Sequence, residues 1–379
     1  MEAKDLTGYV DGSPVRKADE DTARIRIIQD TVRSFFVSLS LGATLPTPLL
    51  MAVSGGPDSL CMADAILTLA HELSLAPVIA HLDHQLRGEE SLADAKFVRQ
   101  FAVARNVHCI VEQVDVKALA RERHLSIEVA ARQLRYRFLA SAARAIGARY
   151  IALAHNADDQ VETVLLRLVR GTGVQGLQGM RPLSTWTVPS GDLSSVILLR
   201  PLLNTKRQDI EAYCRARSLS PRHDTTNDQW HPTRNRIRHE LLPLLEHYNP
   251  GIRRVLLRLA ETAASDWEII DHATQQTFDS LLIDETMPSP DIQGQPAQPA
   301  FTLNRTDWRH LSIGLQRAVL REGVRRLKQT LTDVKYAGVE EARAVLNSDA
   351  RSGDIAILQD VRIIVHAHSF TITLAPANL

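Results

Sequence analysis

Short apolar runs alternate with amphipathic segments along much of the chain, and this alternation restricts the fold more than any other feature. Five of these runs predict buried strands, at Pro48–Ser54, Val78–Leu82, Cys109–Val116, Arg149–His155 and Val196–Leu202. Helical spacing of apolar residues follows each run, and strands that alternate with such helices form a parallel sheet covered on both faces. We therefore predict an α/β fold with a doubly wound parallel sheet, in which ligands bind beyond the carboxyl ends of the strands.

The strand pattern stops near Arg222, which divides the chain into parts of different character. Residues 1–21 are rich in acids, and we interpret them as a loose leader before a first helix near Thr22–Leu39. We predict a catalytic domain over residues 22–225 and a mostly helical domain over 226–379 that ends in a small sheet. Within the second domain, the proline-rich segment Pro288–Pro299 predicts a linker or long loop.

Composition excludes several classes of protein. The 379 residues include 44 Lys+Arg and 44 Asp+Glu, a balance that argues against coating nucleic acid or membrane by bulk charge. The three cysteines, Cys61, Cys109 and Cys214, form no CxxC pair, which removes zinc ribbons and cysteine-ligated iron–sulfur clusters. No stretch reaches the ~18–20 apolar residues of a membrane helix, and the acidic leader fits neither a secretory signal nor a transit peptide. We expect a cytoplasmic protein without a membrane partner.

A glycine-rich turn stands between the first predicted strand and its helix. Its residues are Ser54, Gly55, Gly56, Pro57, Asp58 and Ser59. Glycines let the backbone approach a bound group closely, and the free N–H groups at a helix start favour phosphate. Asp58 beside phosphates would act through a cation or orient an amine; the alternative is an ordinary helix-start acid. No GxxxxGK[ST] occurs, so this is not a Walker P-loop.

A second polar cluster begins where the fourth predicted strand ends, and it contains His155, Asp158, Asp159 and Glu162. Acids three or four residues apart share one face of a helix. Because the fourth strand should run parallel to the first, we expect the cluster to face the same cleft as the glycine-rich turn. The competing interpretations are acids stabilised by the helix dipole alone and a histidine satisfied within the fold.

A second glycine pattern, the GxGxxG of Gly171, Gly173 and Gly176, follows a helix. A dinucleotide-binding fingerprint must instead follow a strand and open a helix. This pattern therefore predicts a flexible loop at the rim of the site.

The turn at 54–59 resembles the SGGxDS PP-loop of the N-type ATP pyrophosphatases, which split ATP into AMP and pyrophosphate while adenylating a substrate. Further segments resemble one family of that superfamily, the tRNA(Ile)-lysidine synthetases, in order over about half of the chain. They are His81–Arg87, Ala131–Tyr136, His155–Gly173, Asp224–Asn227 and Arg234–Pro243.

This resemblance implies an ATP-dependent ligase. Such an enzyme would adenylate the C2 oxygen of the wobble cytidine in the CAU anticodon of tRNA(Ile), releasing pyrophosphate. Free lysine would then attack C2 through its ε-amine and expel AMP, leaving lysidine and switching decoding from AUG to AUA. The amine, whose pKa is ordinarily about 10.4, must first lose a proton to a nearby carboxylate. The expected cofactors are ATP and Mg²⁺, and the sequence leaves open whether the protein is a homodimer.

The resemblance also assigns roles to single residues. The ATP site is expected at Ser54, Gly55, Gly56, Pro57, Asp58, Ser59, His81 and His155. Catalytic roles fall to Asp58, Asp158 and Arg132, and Asp58 and Asp159 are candidates to hold Mg²⁺, a use that rivals the catalytic one. Arg132 and Arg135 share one helix face and either pair with phosphate or are surface arginines. Contacts with tRNA or lysine are expected from Glu162, Arg135, Arg170, Arg234, Asn235, Arg236 and Arg238.

A further row of arginines, Arg317, Arg321 and Arg325, recurs every four residues and suits either tRNA phosphates or a solvated helix face. Two other functions stay open: a PP-loop enzyme that thiolates tRNA, and a tRNA-binding module without activity. The missing cysteine pairs argue against the first, and the intact acids at 58, 158, 159 and 162 argue against the second.

Overall fold

The computed structural model describes residues 14–39, 46–86, 88–186, 195–222, 232–286, 299–328, 334–349, 353, 355–358 and 360–375. Four predicted features lie wholly or partly outside these residues: residues 1–13 of the leader, the motif Asp224–Asn227, Arg87 of the second-strand motif, and the linker as far as residue 298. The chain forms two compact units, Met1–Ala264 and Ser265–Leu379. The domain limits at 225/226 stay a prediction.

The first unit is built on a six-stranded sheet with the order β3-β2-β1-β4-β6-β5. Its strands are β1 Thr47–Ala52, β2 Leu75–Asp83, β3 Cys109–Gln113, β4 Tyr150–Ala152, β5 Leu183–Trp186 and β6 Val196–Leu199. All neighbouring pairs are parallel except the antiparallel pair β5–β6. The strand order reverses between β1 and β4, which is where a doubly wound sheet opens its binding cleft. The predicted α/β fold is confirmed.

Helices cover both faces of this sheet and bury two separate apolar clusters against it. They are α1 Pro14–Ser38, α2 Pro57–Leu69, α3 Glu89–Val103, α4 Val116–Glu122, α5 Ile127–Ala145, α6 Ala157–Arg170, α7 Val174–Leu177 and α8 Arg207–Ala216. The predicted start of the first helix at Thr22 was wrong by eight residues. Glu20 and Asp21 lie inside α1 and pair with Arg24. Acids three or four residues before an arginine stabilise a helix, so these acids support the helix rather than a loose leader.

Three further segments complete the helical part of the first unit. They are α9 Pro232–Arg236, a π-helical turn Ile237–Leu241 and α10 Leu242–Tyr248, after which α11 Ile252–Leu281 begins. Apolar side chains of this region, including Ile237 and Leu256, pack against Val164 and Leu165 of α6. The segment that carries the predicted RNxIR motif is therefore anchored to the helix that carries the acid cluster.

The second unit is an antiparallel sheet packed against helices, with the strand order β7-β8-β11-β10-β9. The strands are β7 Leu282–Thr286, β8 Ala300–Asn304, β9 Ile355–Leu358, β10 Val361–Val365 and β11 Ser369–Leu374, and the helices are α12 Arg305–Arg309, α13 Ile313–Lys328 and α14 Tyr336–Asn347. The three terminal strands were predicted; β7 and β8 were not. No helix among the described residues is long and apolar enough to cross a membrane.

The arginine row on α13 pairs largely with acids of its own unit. The Nε atom of Arg317 donates to Glu340 at 2.6 Å, and Arg325 donates twice to Glu322 at 2.6 Å. Arginines neutralised in this way have less charge to offer a phosphate. These contacts favour the interpretation as a helix face over that of an RNA contact.

A buried carboxylate joins three helical segments of the first unit. Asp64 on α2 is only 2% exposed and accepts hydrogen bonds from Arg105, Arg217 and Tyr213 at 2.8 Å each. Burial alone would raise the pKa of the Asp64 carboxyl, but the three donors outweigh it and lower the pKa. The ionised form of Asp64 therefore stabilises the fold.

We expect Asp64→Asn to lower the free energy of unfolding by about 2–3 kcal/mol at neutral pH, because two arginines lose their counter-charge. The loss should shrink as the pH falls below about 3.9 and through the lowered folded-state pKa, where wild-type Asp64 also becomes neutral. Urea titrations of both proteins across this pH range measure the difference. Glu72→Gln, which breaks an exposed pair with Arg33, is the control and should leave the midpoint unchanged. A difference that persists undiminished at pH 2 would contradict the assignment.

Candidate active site

The glycine-rich turn between β1 and α2 closes around one hydroxyl group. The Oγ atom of Ser59 accepts from the N–H groups of Ser54 and Gly55 at 3.2 and 3.1 Å, and it donates to the Gly56 carbonyl at 3.0 Å. Gly55 has φ +95°, a conformation that favours glycine. Gly56 caps α2 without a side-chain hydrogen bond, so the N-terminus of this helix has no capping side chain between it and a ligand.

The loop after β4 reaches this turn through one amide side chain. Asn156 donates from Nδ2 to Oδ1 of Asp58 at 2.8 Å. Its Oδ1 atom accepts from the N–H groups of Asp158 and Asp159 at 2.9 and 3.0 Å, and Asp159 Oδ2 accepts from the Asn156 N–H at 3.0 Å. A single residue, 3% exposed, thus caps α6 and holds Asp58.

The far side of the acid cluster is an ion network with two arginines of the predicted RNxIR motif. Glu162 is 1% exposed and accepts from Nε of Arg234 and from Nε of Arg238 at 2.6 Å each. Arg234 also donates from Nη2 to Asp159 Oδ1 at 2.7 Å. Two arginines around one buried carboxylate satisfy its charge. Glu162 therefore links α6 to α9 through Arg234 and to the π-helical turn through Arg238.

Asp58 and Asp159 titrate above their ordinary range. Burial is the main cause and raises the pKa of both carboxyls, while Asn156 opposes the rise at Asp58 and Arg234 opposes it at Asp159. A carboxylate with a raised pKa accepts a proton more readily than an ordinary aspartate. Asp58 therefore has the chemistry of a proton acceptor in this cleft.

Two histidines lie at strand ends beside the cleft and stay neutral. His81 on β2 contacts the Val53 carbonyl through Nδ1 at 2.8 Å, and burial lowers its pKa. Burial also lowers the pKa of His155 to about 3, together with the charges of nearby arginines. The Nδ1 atom of His155 is buried and has no hydrogen-bond partner among the described residues. Neither histidine carries a charge near neutral pH.

Not every predicted site residue lies in this cluster. Arg132 and Arg135 lie on α5, and their charges act on His155, while Asp158 pairs with Arg253 at 3.4 Å. Arg170 is exposed at the opposite end of α6 from the acids. Arg236 is exposed and pairs with Glu240, and within the described part of the chain Asn235 makes no hydrogen bond to the acid cluster. The roles of these residues stay predictions.

Three residues of the site escaped the sequence analysis: Asn156, Arg253 and Arg200. Asn156 stood within the quoted motif, and its position directly before two acids at a helix start is an N-cap signal that could have drawn attention. Arg253 follows the Asn249–Gly251 break and lies far from Asp158 in the sequence. No local pattern marks Arg200, which directly follows β6.

The donor set at Asp58 fits Mg²⁺. Magnesium usually takes one or two carboxylates and completes its shell with water and substrate phosphates. Oδ1 of Asp58 is held by Asn156, and Oδ2 accepts from no other side chain within the described part of the chain. Both oxygens of Asp159 are already engaged, by Asn156 and Arg234. The geometry favours Asp58 over Asp159 as the ligand.

A sequence profile described as the PP-loop domain matches residues 28–245, which is more than half of the chain. The chain belongs to the PP-loop family. The match includes β1, the glycine-rich turn, the acid cluster and the segment of Arg234 and Arg238, so every contact of the site described above lies within the PP-loop domain apart from the pair of Asp158 with Arg253.

Curated relatives of this PP-loop protein share one name. The tRNA(Ile)-lysidine synthase of Dehalococcoides mccartyi is 38% identical over 302 residues, covering 80% of this chain and 61% of that protein. The tRNA(Ile)-lysidine synthase of Geobacter sulfurreducens is 37% identical over 316 residues, covering 83% of this chain and 62% of that protein. The chain thus spans about three fifths of the length of these two relatives.

Among solved structures, the U34-tRNA thiolase NcsA from Methanococcus maripaludis is similar at 15% identity with a TM-score of 0.48. The similarity covers 64% of this chain and 80% of that chain. A likeness of this degree carries no argument about function.

We expect Asn156→Ser to separate the two tasks of this residue. Serine caps a helix well but is too short to reach Asp58, so the free energy of unfolding should fall by no more than about 1 kcal/mol. The rate of ATP cleavage to AMP with tRNA present should fall at least about tenfold, because Asp58 loses its fixed orientation. Asp115→Ala, which removes the cap of α4, should show the reverse pattern of lower stability and unchanged rate. Equal rates for Asn156→Ser and wild type would contradict the positioning role.

Proposed function

We propose that this protein ligates free lysine to C2 of the wobble cytidine in the CAU anticodon of tRNA(Ile), through an adenylated tRNA and with ATP as the energy source. The observation that supports it most is the hydrogen bond from Asn156 to Asp58, which joins the phosphate-binding turn to the acid cluster. The names of the curated relatives support the choice of substrate. We place the reaction in the cytoplasm.

The adenylation step needs the α-phosphate of ATP near the wobble base. The N-terminus of α2 and the hydroxyl of Ser54 offer donors to the phosphates, and the positive end of the helix dipole favours negative charge there. Mg²⁺ bound at Asp58 would neutralise charge on the departing pyrophosphate. His81 and His155, both neutral, border this region and can donate to or accept from the nucleotide without adding charge.

The second step needs an uncharged lysine amine. An ammonium with a pKa of about 10.4 must give up a proton before it attacks C2. Once pyrophosphate and Mg²⁺ have left, Asp58 is suited to orient this amine and take the proton, because its carboxyl is fixed by Asn156 and burial raises its pKa when no cation is bound. Asp158 is the second candidate; its Oδ1 atom is already paired with the Arg253 guanidinium at 3.4 Å.

Thiolation of tRNA finds less support in the site. Cys61 and Cys214 are buried in the apolar cluster that packs α2 and α8 against the sheet. Burial raises the pKa of the Cys61 thiol and of the Cys109 thiol, which makes both weak nucleophiles. Within the described residues no hydrogen bond joins a cysteine to Asp58 or to the acid cluster, and Cys214 instead donates to the Pro57 carbonyl at 3.6 Å.

Lysine transfer is measured directly with purified protein, labelled lysine, Mg-ATP and tRNA(Ile) transcripts that carry the CAU anticodon. We expect label in the tRNA(Ile) and stoichiometric AMP. Elongator methionine tRNA, which has the same anticodon, is the control and should stay unlabelled. A folded protein that leaves tRNA(Ile) unlabelled at saturating lysine would refute the proposal.

We expect Asp58→Asn to reduce lysine transfer at least about 100-fold while tRNA binding stays within twofold of wild type. Asparagine keeps the shape of the side chain and can still accept from Asn156, but it neither binds Mg²⁺ as an anion nor takes a proton. Filter binding and single-turnover transfer give the two values. Wild-type transfer by this variant would remove Asp58 from the mechanism.

A further inference from the structure

A group of cations lies beside the acid cluster without acids of its own. His155 lies three residues after the end of β4, and Arg200 directly follows β6. The two strands pair in parallel, so both residues lie at the carboxyl edge of the sheet. Arg132 and Arg135 approach from α5, and the charges of all three arginines act on His155.

Arg200 is the buried member of this group. It is 7% exposed, and its Nη1 atom donates to the Arg181 carbonyl and to Ser184 Oγ at 2.8 and 2.9 Å. Its Nε atom is buried and finds no partner among the described residues. A buried guanidinium donor without an acceptor is costly, and this one lies near the equally unpartnered Nδ1 of His155.

The arginines of this group also lack counter-ions. Arg132, Arg135 and Arg200 form no ion pair with a carboxylate in the described part of the chain, in contrast to Arg234 and Arg238. Burial lowers the pKa of the Arg200 guanidinium, and the nearby positive charges of Arg132 and Arg167 lower it further. Several cations gathered without a counter-ion favour an anionic ligand.

The location of this cationic group indicates which anion it binds. His155 is the neighbour in sequence of Asn156, which holds Asp58, so the cationic group adjoins the carboxylate that takes the lysine amine. Free lysine carries its own carboxylate at the other end, roughly 7 Å from the ε-nitrogen by standard bond lengths. We propose that Arg200, with Arg132, Arg135 and His155, forms a subsite for the α-carboxylate of the amino-acid substrate.

This subsite rests on the proposed function and refines it. With the amine at Asp58 and the carboxylate at Arg200, the substrate is held at both ends. Guanidinium groups suit this task because they donate in a fork that matches a carboxylate. Arg200 is then a residue that determines amino-acid specificity.

The test compares lysine with lysinamide, in which a neutral amide replaces the carboxylate. We expect wild type to use lysine with a kcat/KM about 10- to 100-fold higher. Arg200→Gln should lower kcat/KM for lysine by about that factor and leave the value for lysinamide nearly unchanged. Arg200→Lys, which keeps the charge but loses the fork, should retain part of the preference. Arg144→Gln, an exposed arginine in the last turn of α5, is the matched control and should behave as wild type.

Three outcomes would overturn the subsite. Equal use of both amines by wild type shows that the carboxylate is not bound. Equal loss for both amines in Arg200→Gln and Arg200→Lys, with unchanged thermal unfolding, shows a structural role. A raised KM for tRNA with both amines unaffected assigns the arginines to an RNA phosphate.

If the proposed function itself is wrong, the results differ from those that overturn the subsite. If wild type transfers neither amine to tRNA(Ile), calorimetric titration with each amine still tests the subsite alone. Tighter binding of lysine than of lysinamide, lost in Arg200→Gln, supports it; equal binding of both amines refutes it.

Discussion

The site depends on one part-buried hydrogen bond between the turn after β1 and the loop after β4. Asn156 Nδ2 donates to Asp58 Oδ1 at 2.8 Å across the point where the strand order reverses between β1 and β4. The same side chain caps α6 through the N–H groups of Asp158 and Asp159. Because one rigid amide serves both loops, the phosphate-binding turn and the acids cannot move independently. In the proposed reaction, Asp58 acts first beside the phosphates of ATP and then on the amine of lysine.

The arginines divide into two groups according to their counter-ions. Arg234 and Arg238 are neutralised by Glu162 and Asp159, and they join α9 and the π-helical turn to α6. Arg132, Arg135 and Arg200 have no such acids among the described residues and surround a neutral His155. The first group builds the wall of the cleft, and the second is the one that we propose binds an anion. Zero net charge over 379 residues conceals this local separation of charge.

Much of the fold was predictable because its cause is local. Alternating strands and helices predict the parallel sheet, and the turn at 54–59 and the acids at 158–162 follow neighbouring strands, so their proximity followed from topology. Partners distant in sequence were not predictable. Asn156 and Asp58 are 98 residues apart, and β8 pairs with β11, which lies more than 60 residues later. The arginine row on α13 had two interpretations until its acids, Glu322 and Glu340, were located.

The central claim is that these joined loops form one site, which adenylates tRNA before lysine attacks. The most direct measurement uses ATP labelled at the α-phosphate, with Mg²⁺ and tRNA(Ile) but without lysine. The account predicts that label becomes attached to the tRNA and is released as AMP when lysine is added. Lysine transfer without any label passing through tRNA, or ATP cleavage that never labels tRNA, would contradict it.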